Sequence, residues 1–291
     1  MIKSIILFLE KLVFSLYGLI KILKESKFRA KISTKHISGN SCYILGNGPS
    51  LHQDLERCMA RFEPENIIAV NYFGTSDLYA RLKPNLYVLA DPAYYLDNLI
   101  PGVQNQVDNL LSELKEKTNW YVTVFVPLKG QKKIQDKLKA NEFISVVGYN
   151  SVNTWKGFKW FDHWVYNHQW AVVSGLNVVM IALLLAINVG FKKIFLMGVD
   201  HTWHKNIIVG EDNKTYEYDT HFYDKEMVKP IPLLVERGNK IIHLKLHEQL
   251  GYVKKVFEVY HYMQDYAKYK QVEIVNCTPA SFIDAFERLK V

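Results

Sequence analysis

The run "GLNVVMIALLLAINVG" (175–190) carries no charged residue between its two end glycines. A helix that is apolar on every side has no face to offer to water, so it is buried. It leads through "FKK" straight into "IFLMGVD" (194–200), a strand that ends on glycine, valine and an acid. A buried helix feeding a buried strand demands a layered fold.

The rest of the chain agrees. Short apolar runs closed by turn residues predict strands at 41–46 ("SCYILG"), 66–73 ("NIIAVNYF"), 85–91 ("NLYVLAD"), 119–127 ("NWYVTVFVP"), 143–149 ("FISVVGY") and 272–276 ("VEIVN"). Helical spacing lies between several of them, at 97–117 and again at 250–270. Apolar strands alternating with helices predict an α/β fold: Rossmann-like, with a mostly parallel sheet flanked by helices. With 291 residues and 49% hydrophobic composition, the chain is large enough for one sizeable core, or one core and a small lid. No segment repeats or is low in complexity, so solenoids and disordered arrays are set aside.

The N-terminal stretch "MIKSIILFLEKLVFSLYGLIKILKESKFRAK" is strongly apolar but interrupted by Lys3, Glu10, Lys11 and Lys21. Those charges argue against a spanning helix. No uninterrupted apolar core with a small-residue cleavage site marks a signal peptide. On a helical wheel the charged and small residues (Lys3, Ser4, Glu10, Lys11, Ser15, Gly18, Lys21, Lys24) share about one half. The large apolar ones (Ile5, Phe8, Leu9, Leu12, Leu16, Leu19, Ile20, Leu23) take the other half. That pattern predicts a helix lying in a membrane interface; the alternative is a helix packed on the protein's own core or on another subunit. The chain divides into this helix, 1–35, and a catalytic domain, 36–291, with a His-, Tyr-, Asp- and Lys-rich lid at 201–249. The expected location is cytoplasmic, peripheral at the inner membrane face.

The formal charge of +7 and pI of about 9.0 suit anionic lipid or a phosphorylated substrate. Without a basic run, zinc-finger spacing or an aromatic RNA-binding signature, nucleic acid is not expected as a partner. Cys42, Cys58 and Cys277 form no CxxC pair, so neither a disulfide framework nor structural zinc is indicated.

In a parallel α/β sheet the ligand lies beyond the carboxyl ends of the strands. The residues there are Asn47, Asn71, Asp91, and Asp200 with His201. "GNGPSL" (46–51) lacks the lysine ending of a Walker loop and is not GxGxxG. Gly46 and Gly48 allow a tight turn and close ligand approach, and Pro49 and Ser50 can start a helix whose amides face an anion. The bland reading is a plain strand-to-helix turn. "VVSGLN" (172–177) offers Ser174 as a helix cap and Gly175 as a place for a ligand to approach, or merely a well-capped helix. "GVDHTWH" (198–204) sets Asp200 near His201 and His204, but no complete metal-ligand spacing accompanies them and no metal is expected. "KTYEYDTHFYD" (214–224) supplies loop tyrosines, and "HLKLHEQLGY" (243–252) supplies His243 and His247. His243 and His247 are candidate general bases, since histidine titrates near neutrality, and the loop tyrosines are candidate phosphate or sugar contacts. Lid packing is the alternative.

With these residues in view, the sequence resembles the bacterial sialyltransferases of glycosyltransferase family 42, and the related motility-accessory-factor and MptE-like proteins. "YILGNGPSL" is similar to the opening strand and nucleotide loop. "VVSGLNVVMIALLLAINVGFKKIFLMGVD" resembles the Ser-Gly helix and following strand. "TYEYDT" and "VEIVNCTPASFI" resemble the lid tyrosine region and last strand. The resemblance implies a GT-A-like variant of the fold and inverting, metal-independent transfer of an acidic nonulosonic sugar, sialic acid-like or Kdo-like. The donor would be CMP-activated, a substrate and not a cofactor, and the acceptor a bacterial surface glycan or glycolipid. It implies donor binding by Gly46, Asn47, Gly48, Asn71, Asp91, Ser174, Gly175 and Asp200, with Tyr216 on the departing phosphate. The base would be His247, with His221 and His201 as competitors. The chain departs from the family pattern at Ala171, where an arginine is expected, and at Thr202, where a phosphate-binding tyrosine is expected. Two other readings stand beside it: an MptE-like pyrophosphokinase using ATP and magnesium, and a non-catalytic scaffold of polysaccharide assembly. A homo-oligomer is compatible with all three.

Overall fold

The computed structural model describes residues 2–289 apart from 33, 35, 36, 60–65, 98, 100, 174, 175, 225, 226, 238 and 239. After helix α1 (Ile2–Glu25), the chain runs β1 (Ser41–Leu45), α2 (Leu51–Met59), β2 (Ile67–Val70), α3 (Asp77–Leu82) and β3 (Leu86–Val88). It continues with α4 (Pro101–Lys117), β4 (Val122–Pro127), α5 (Gln131–Leu138), β5 (Ile144–Tyr149), α6 (Lys159–Asn167), α7 (Val178–Val189) and β6 (Lys193–Met197). Then come α8 (Trp203–Asn206), β7 (Ile207–Val209), β8 (Thr215–Glu217), β9 (Ile231–Pro232), β10 (Leu234–Arg237), β11 (Lys240–His243), α9 (Leu246–Tyr269), β12 (Glu273–Asn276) and β13 (Glu287–Arg288).

Eight strands form one sheet in the order β13-β12-β6-β1-β2-β3-β4-β5. Every pairing in it is parallel. A parallel sheet needs both faces covered, and its strands accordingly read as unbroken apolar runs instead of alternating ones. One face carries α6, α7 and α9 through Ile44, Val70, Leu184, Val259 and Met263. The other carries α2, α4 and α5 through Leu45, Ala69, Leu55, Leu110 and Ile134. The apolar helix α7 is buried from Val179 to Ile187, as its sequence requires.

The chain steps outward from β1 to β5 and then returns to lay β6 on the opposite side of β1. This reversal opens a crevice between the loops that follow β1 and β6. The segment 201–249 is not an unstructured loop. It holds α8, a three-stranded antiparallel sheet (β7-β8-β9) and the hairpin β10-β11. It docks back on the domain where Phe222 N–H donates to the Asn47 carbonyl at 3.1 Å. All three cysteines are buried and free. Among the described residues no helix is long and apolar enough to cross a membrane.

Candidate functional site

The crevice is lined by the β1 loop (Gly46 to Pro49), Val70 and Asn71 after β2, the start of α7 (Asn177 to Val179), the β6 loop (Gly198 to Trp203 in part), Asn206, and Asp219 to His221. The β1 and β6 loops are pinned to each other. Gly46 N–H donates to the Met197 carbonyl at 2.8 Å and Gly48 N–H to the Gly198 carbonyl at 2.9 Å. That contact is possible only because Gly48 lacks a side chain: a Cβ would fall on the Asp200 carboxylate and within 2.6 Å of the Gly198 oxygen. Gly198 itself has φ +62°, a left-handed conformation that glycine adopts without strain. The two glycines thus serve loop-to-loop contact.

Three carboxyl and hydroxyl groups tie the β1 and β6 loops together beneath the crevice. Ser50 Oγ lies 3.0 Å from Asp54 Oδ2 and 2.9 Å from Asp200 Oδ2. Asp54 Oδ2 also accepts from Gly198 N–H and from the Thr278 hydroxyl. Burial pushes the Asp54 carboxyl up, opposed by its hydrogen bonds to Thr278, Gly198 and Ser50. Asp200 is buried, and its Oδ2 receives the Ser50 backbone N–H as well as the hydroxyl.

Asn47 offers the most informative polar atom. Its Nδ2 donates to the Val70 carbonyl at 3.2 Å, while its Oδ1 is buried with no hydrogen-bond partner. A buried acceptor without a donor costs roughly 1–3 kcal/mol, and this one lies at a crevice. Asn71, with φ +46°, turns in the left-handed region, and Tyr87 holds its carbonyl at 2.5 Å. Asparagine tolerates that conformation better than most residues.

His201 is buried, with φ +53°. Burial drops its imidazole to about 3, despite a hydrogen bond to the Val199 backbone. Its Nε2 meets the Tyr260 hydroxyl at 2.6 Å, and Asn177 closes the triangle, with Nδ2 3.2 Å from that hydroxyl. A neutral histidine holding a buried tyrosine in this way positions its neighbours. His221 is different. It lines the crevice, is partly exposed, and stands between Asp219 (3.8 Å) and Asp224 (3.9 Å), with its ring stacked on Tyr223.

The remaining predicted residues fall elsewhere. Asp91 is exposed and caps the short 3-10 turn Pro92–Tyr94, accepting from Ala93 N–H at 2.8 Å. Tyr216 donates to Asp212 at 2.9 Å and does not line the crevice. His247 is exposed on the first turn of α9. Ser174 and Gly175 lie outside the described residues, and the predicted cap at Ser174 is displaced. The helix starts at Val178, and Asn177 is the cap, its oxygen accepting from Met180 N–H at 3.0 Å. Thus Gly46, Asn47, Gly48, Asn71, Asp200, His201 and His221 are brought together. The sequence reading misses Asn177, Asp54, Tyr260 and Asp219. Asn177 had a signal, an asparagine directly before an apolar helix; Tyr260 is one aromatic among many in α9 and had none.

A doubly wound parallel sheet with a polar crevice at its switch point defines a Rossmann-type α/β protein. The chain belongs to the MptE-like family: the family model described as 6-hydroxymethylpterin diphosphokinase MptE-like matches residues 16–206, more than half of its length. That span includes the loops after β1, β2 and β6, and the start of α7. No curated protein matches the chain.

Proposed function

We propose that the crevice binds a nucleotide by its phosphates and that the protein transfers a diphosphoryl group from ATP to a hydroxyl, as the family description suggests. The observation that carries this reading is the character of the lining. Asp200 and Asp219 stand in the crevice, and no lysine or arginine is among its described lining residues. A polyphosphate enters such a site only with a divalent cation. Magnesium binds through one or two carboxylates plus substrate phosphates, so Asp200 and Asp219 fit it, although no cluster of three ligating side chains occurs among the described residues. When bound, the cation would neutralise phosphate charge.

The chain's own groups have the following roles. Asn47 Oδ1 accepts a hydrogen bond from a ligand donor such as an exocyclic amine or a hydroxyl. The first turn of α7, at Val178 and Val179, presents unsatisfied amides toward phosphate oxygens. His221 takes the proton of the acceptor hydroxyl, and Asp224 stabilises the resulting imidazolium. The hydroxyl oxygen bonds to the β-phosphorus, the bond to the oxygen bridging the α-phosphate breaks, and AMP leaves with the electron pair. Catalysis of this kind is mainly positioning and electrostatics.

The CMP-sugar reading draws less support. It needs donors on a departing phosphate without metal, and Tyr216 is held by Asp212 away from the crevice lining. One experiment separates the readings: melting of the full chain with ATP and magnesium, ATP with chelator, and CMP with chelator. A ligand at a hundredfold its Kd stabilises by about 2.7 kcal/mol. Stabilisation by ATP only with magnesium supports the proposal. Stabilisation by CMP in chelator would return the reading to sugar transfer, and no response to any nucleotide would leave the scaffold role.

A further inference from the structure

Helix α1 is mounted the wrong way round for a water-soluble protein. An amphipathic helix on a globular surface turns its apolar stripe inward. Here the buried positions are Ser15, Gly18 and Ile22. Ser15 Oγ accepts from Phe158 N–H at 2.9 Å, and Gly18 sits so close to Thr154 that a Cβ would lie 3.1 Å from its methyl. The small residues of the polar half are spent on the domain. The large apolar residues, Ile5, Leu9, Leu12, Leu16 and Leu23 among them, are left exposed.

The apolar surface continues onto α6. Phe8 meets Phe158 at 5.3 Å and Phe158 stacks beside Trp160 at 6.3 Å. At the other end of the helix, Phe28 and Trp164 both pack edge-on against Trp170 at 4.9 Å. Trp160 is 69% exposed and Trp164 42%. Indole rings favour the boundary between hydrocarbon and headgroups. The same segment, residues 1–31, carries seven cationic side chains and two acids, and Lys3, Lys24, Lys27, Arg29 and Lys31 are exposed.

We propose that the outward face of α1, together with Trp160 and Trp164, rests on an anionic lipid bilayer. The cationic excess selects this occupant. Two copies meeting through the same face would bring their lysines together, whereas anionic headgroups neutralise them. The helix lies in the interface and does not pass through it, because its small-residue side, at Ser15 and Gly18, is already packed on Phe158 and Thr154 and no described helix is long and apolar enough to span. The surface is separate from the crevice, so this inference does not depend on the nucleotide chemistry.

The test is flotation of the full chain with phosphatidylcholine vesicles containing or lacking roughly 30% phosphatidylglycerol, read together with tryptophan emission. The expected result is flotation with the anionic vesicles and a blue shift of emission. The partition coefficient should fall about fivefold for each of Lys24→Gln and Lys27→Gln. Trp160→Ala should reduce the blue shift without lowering the melting temperature. Leu9→Gln with Leu16→Gln, both at exposed positions, should abolish flotation while the circular dichroism of the domain is retained. Absence of flotation with anionic vesicles overturns the proposal. So does flotation insensitive to all of these substitutions. Concentration-dependent self-association that the leucine variant removes, without vesicle binding, assigns the face to a second copy instead.

Discussion

The Tyr260 hydroxyl and Nε2 of His201 share a hydrogen bond of 2.6 Å inside the protein. Burial lowers this imidazole to about 3 and so holds it neutral, against a hydrogen bond to the Val199 backbone that pulls the other way. The sign follows from linkage. Between about pH 6.5 and 3 the unfolded chain binds a proton at this histidine that the folded protein refuses, so stability falls as pH falls through that window. His201→Asn keeps a side chain that tolerates the left-handed backbone and removes the titration. Its melting temperature should decline less steeply with acid than that of the wild type, measured from pH 7 to 4.

Asp162 has the opposite sign. It is buried, accepts from the Tyr262 hydroxyl at 2.5 Å, and burial raises it to about 6. Above that pH the folded protein carries a charge it disfavours, so this group's contribution declines as pH rises from about 4 to 6. Asp162→Asn should stabilise at pH 8 by roughly 1–3 kcal/mol and have much less effect at pH 4. Denaturant titrations at the two pH values give the comparison.

Asn47→Ala separates binding from stability. The substitution removes the cost of the unpartnered Oδ1 and, against it, the Nδ2 bond to the Val70 carbonyl, so the unliganded melting temperature should stay near the wild-type value. Nucleotide affinity should drop by about tenfold or more, the loss expected for one hydrogen bond to a buried acceptor. Isothermal titration with ATP and magnesium measures it; an unchanged affinity would remove Asn47 from the binding site.

Gly48→Ala should be costly in both respects. The new methyl meets the Asp200 carboxylate and the Gly198 carbonyl, which forces the two loops apart. Overpacking of this kind costs about 1–3 kcal/mol. A lower denaturation midpoint and loss of the nucleotide-dependent shift are expected together.

His221→Gln should lower turnover by about 10²-fold or more while sparing nucleotide affinity, as loss of a general base does. His247→Ala, on the exposed first turn of α9, should leave turnover near the wild-type value. AMP release in single-turnover reactions reads both. The reverse pattern would put the base at His247.

The sheet was legible because parallel strands buried on both faces have no choice but to be apolar. All seven predicted strands occur, as β1 to β6 and β12. The two-residue strand β13 was invisible, since Glu287 and Arg288 pair through backbone alone. The helix at 175–190 was legible in kind but its start was not: serine and asparagine both cap, and only the three-dimensional path decides that Asn177 reaches Met180 N–H. The strand-end rule found Asn47, Asn71 and Asp200, but it also chose Asp91, whose strand lies two places from the switch point and whose side chain turns back to cap its own loop. His221 and His247 are both histidines in polar segments. Periodicity carries no information on which of them the antiparallel segment folds over the crevice.

The contacts beneath the crevice also bear on the order in which the protein can be made. Asp54 is released early in synthesis, yet its carboxylate is completed by the Thr278 hydroxyl, 224 residues later. Phe282 N–H and Ser281 Oγ likewise hold the carbonyls of Asp200 and Val199. A chain still lacking this segment can pair β1 with β2 and with β6, but the contacts to Asp54, Val199 and Asp200 stay incomplete. The finished shape of these loops therefore depends on a segment far away in sequence, around Thr278 to Phe282.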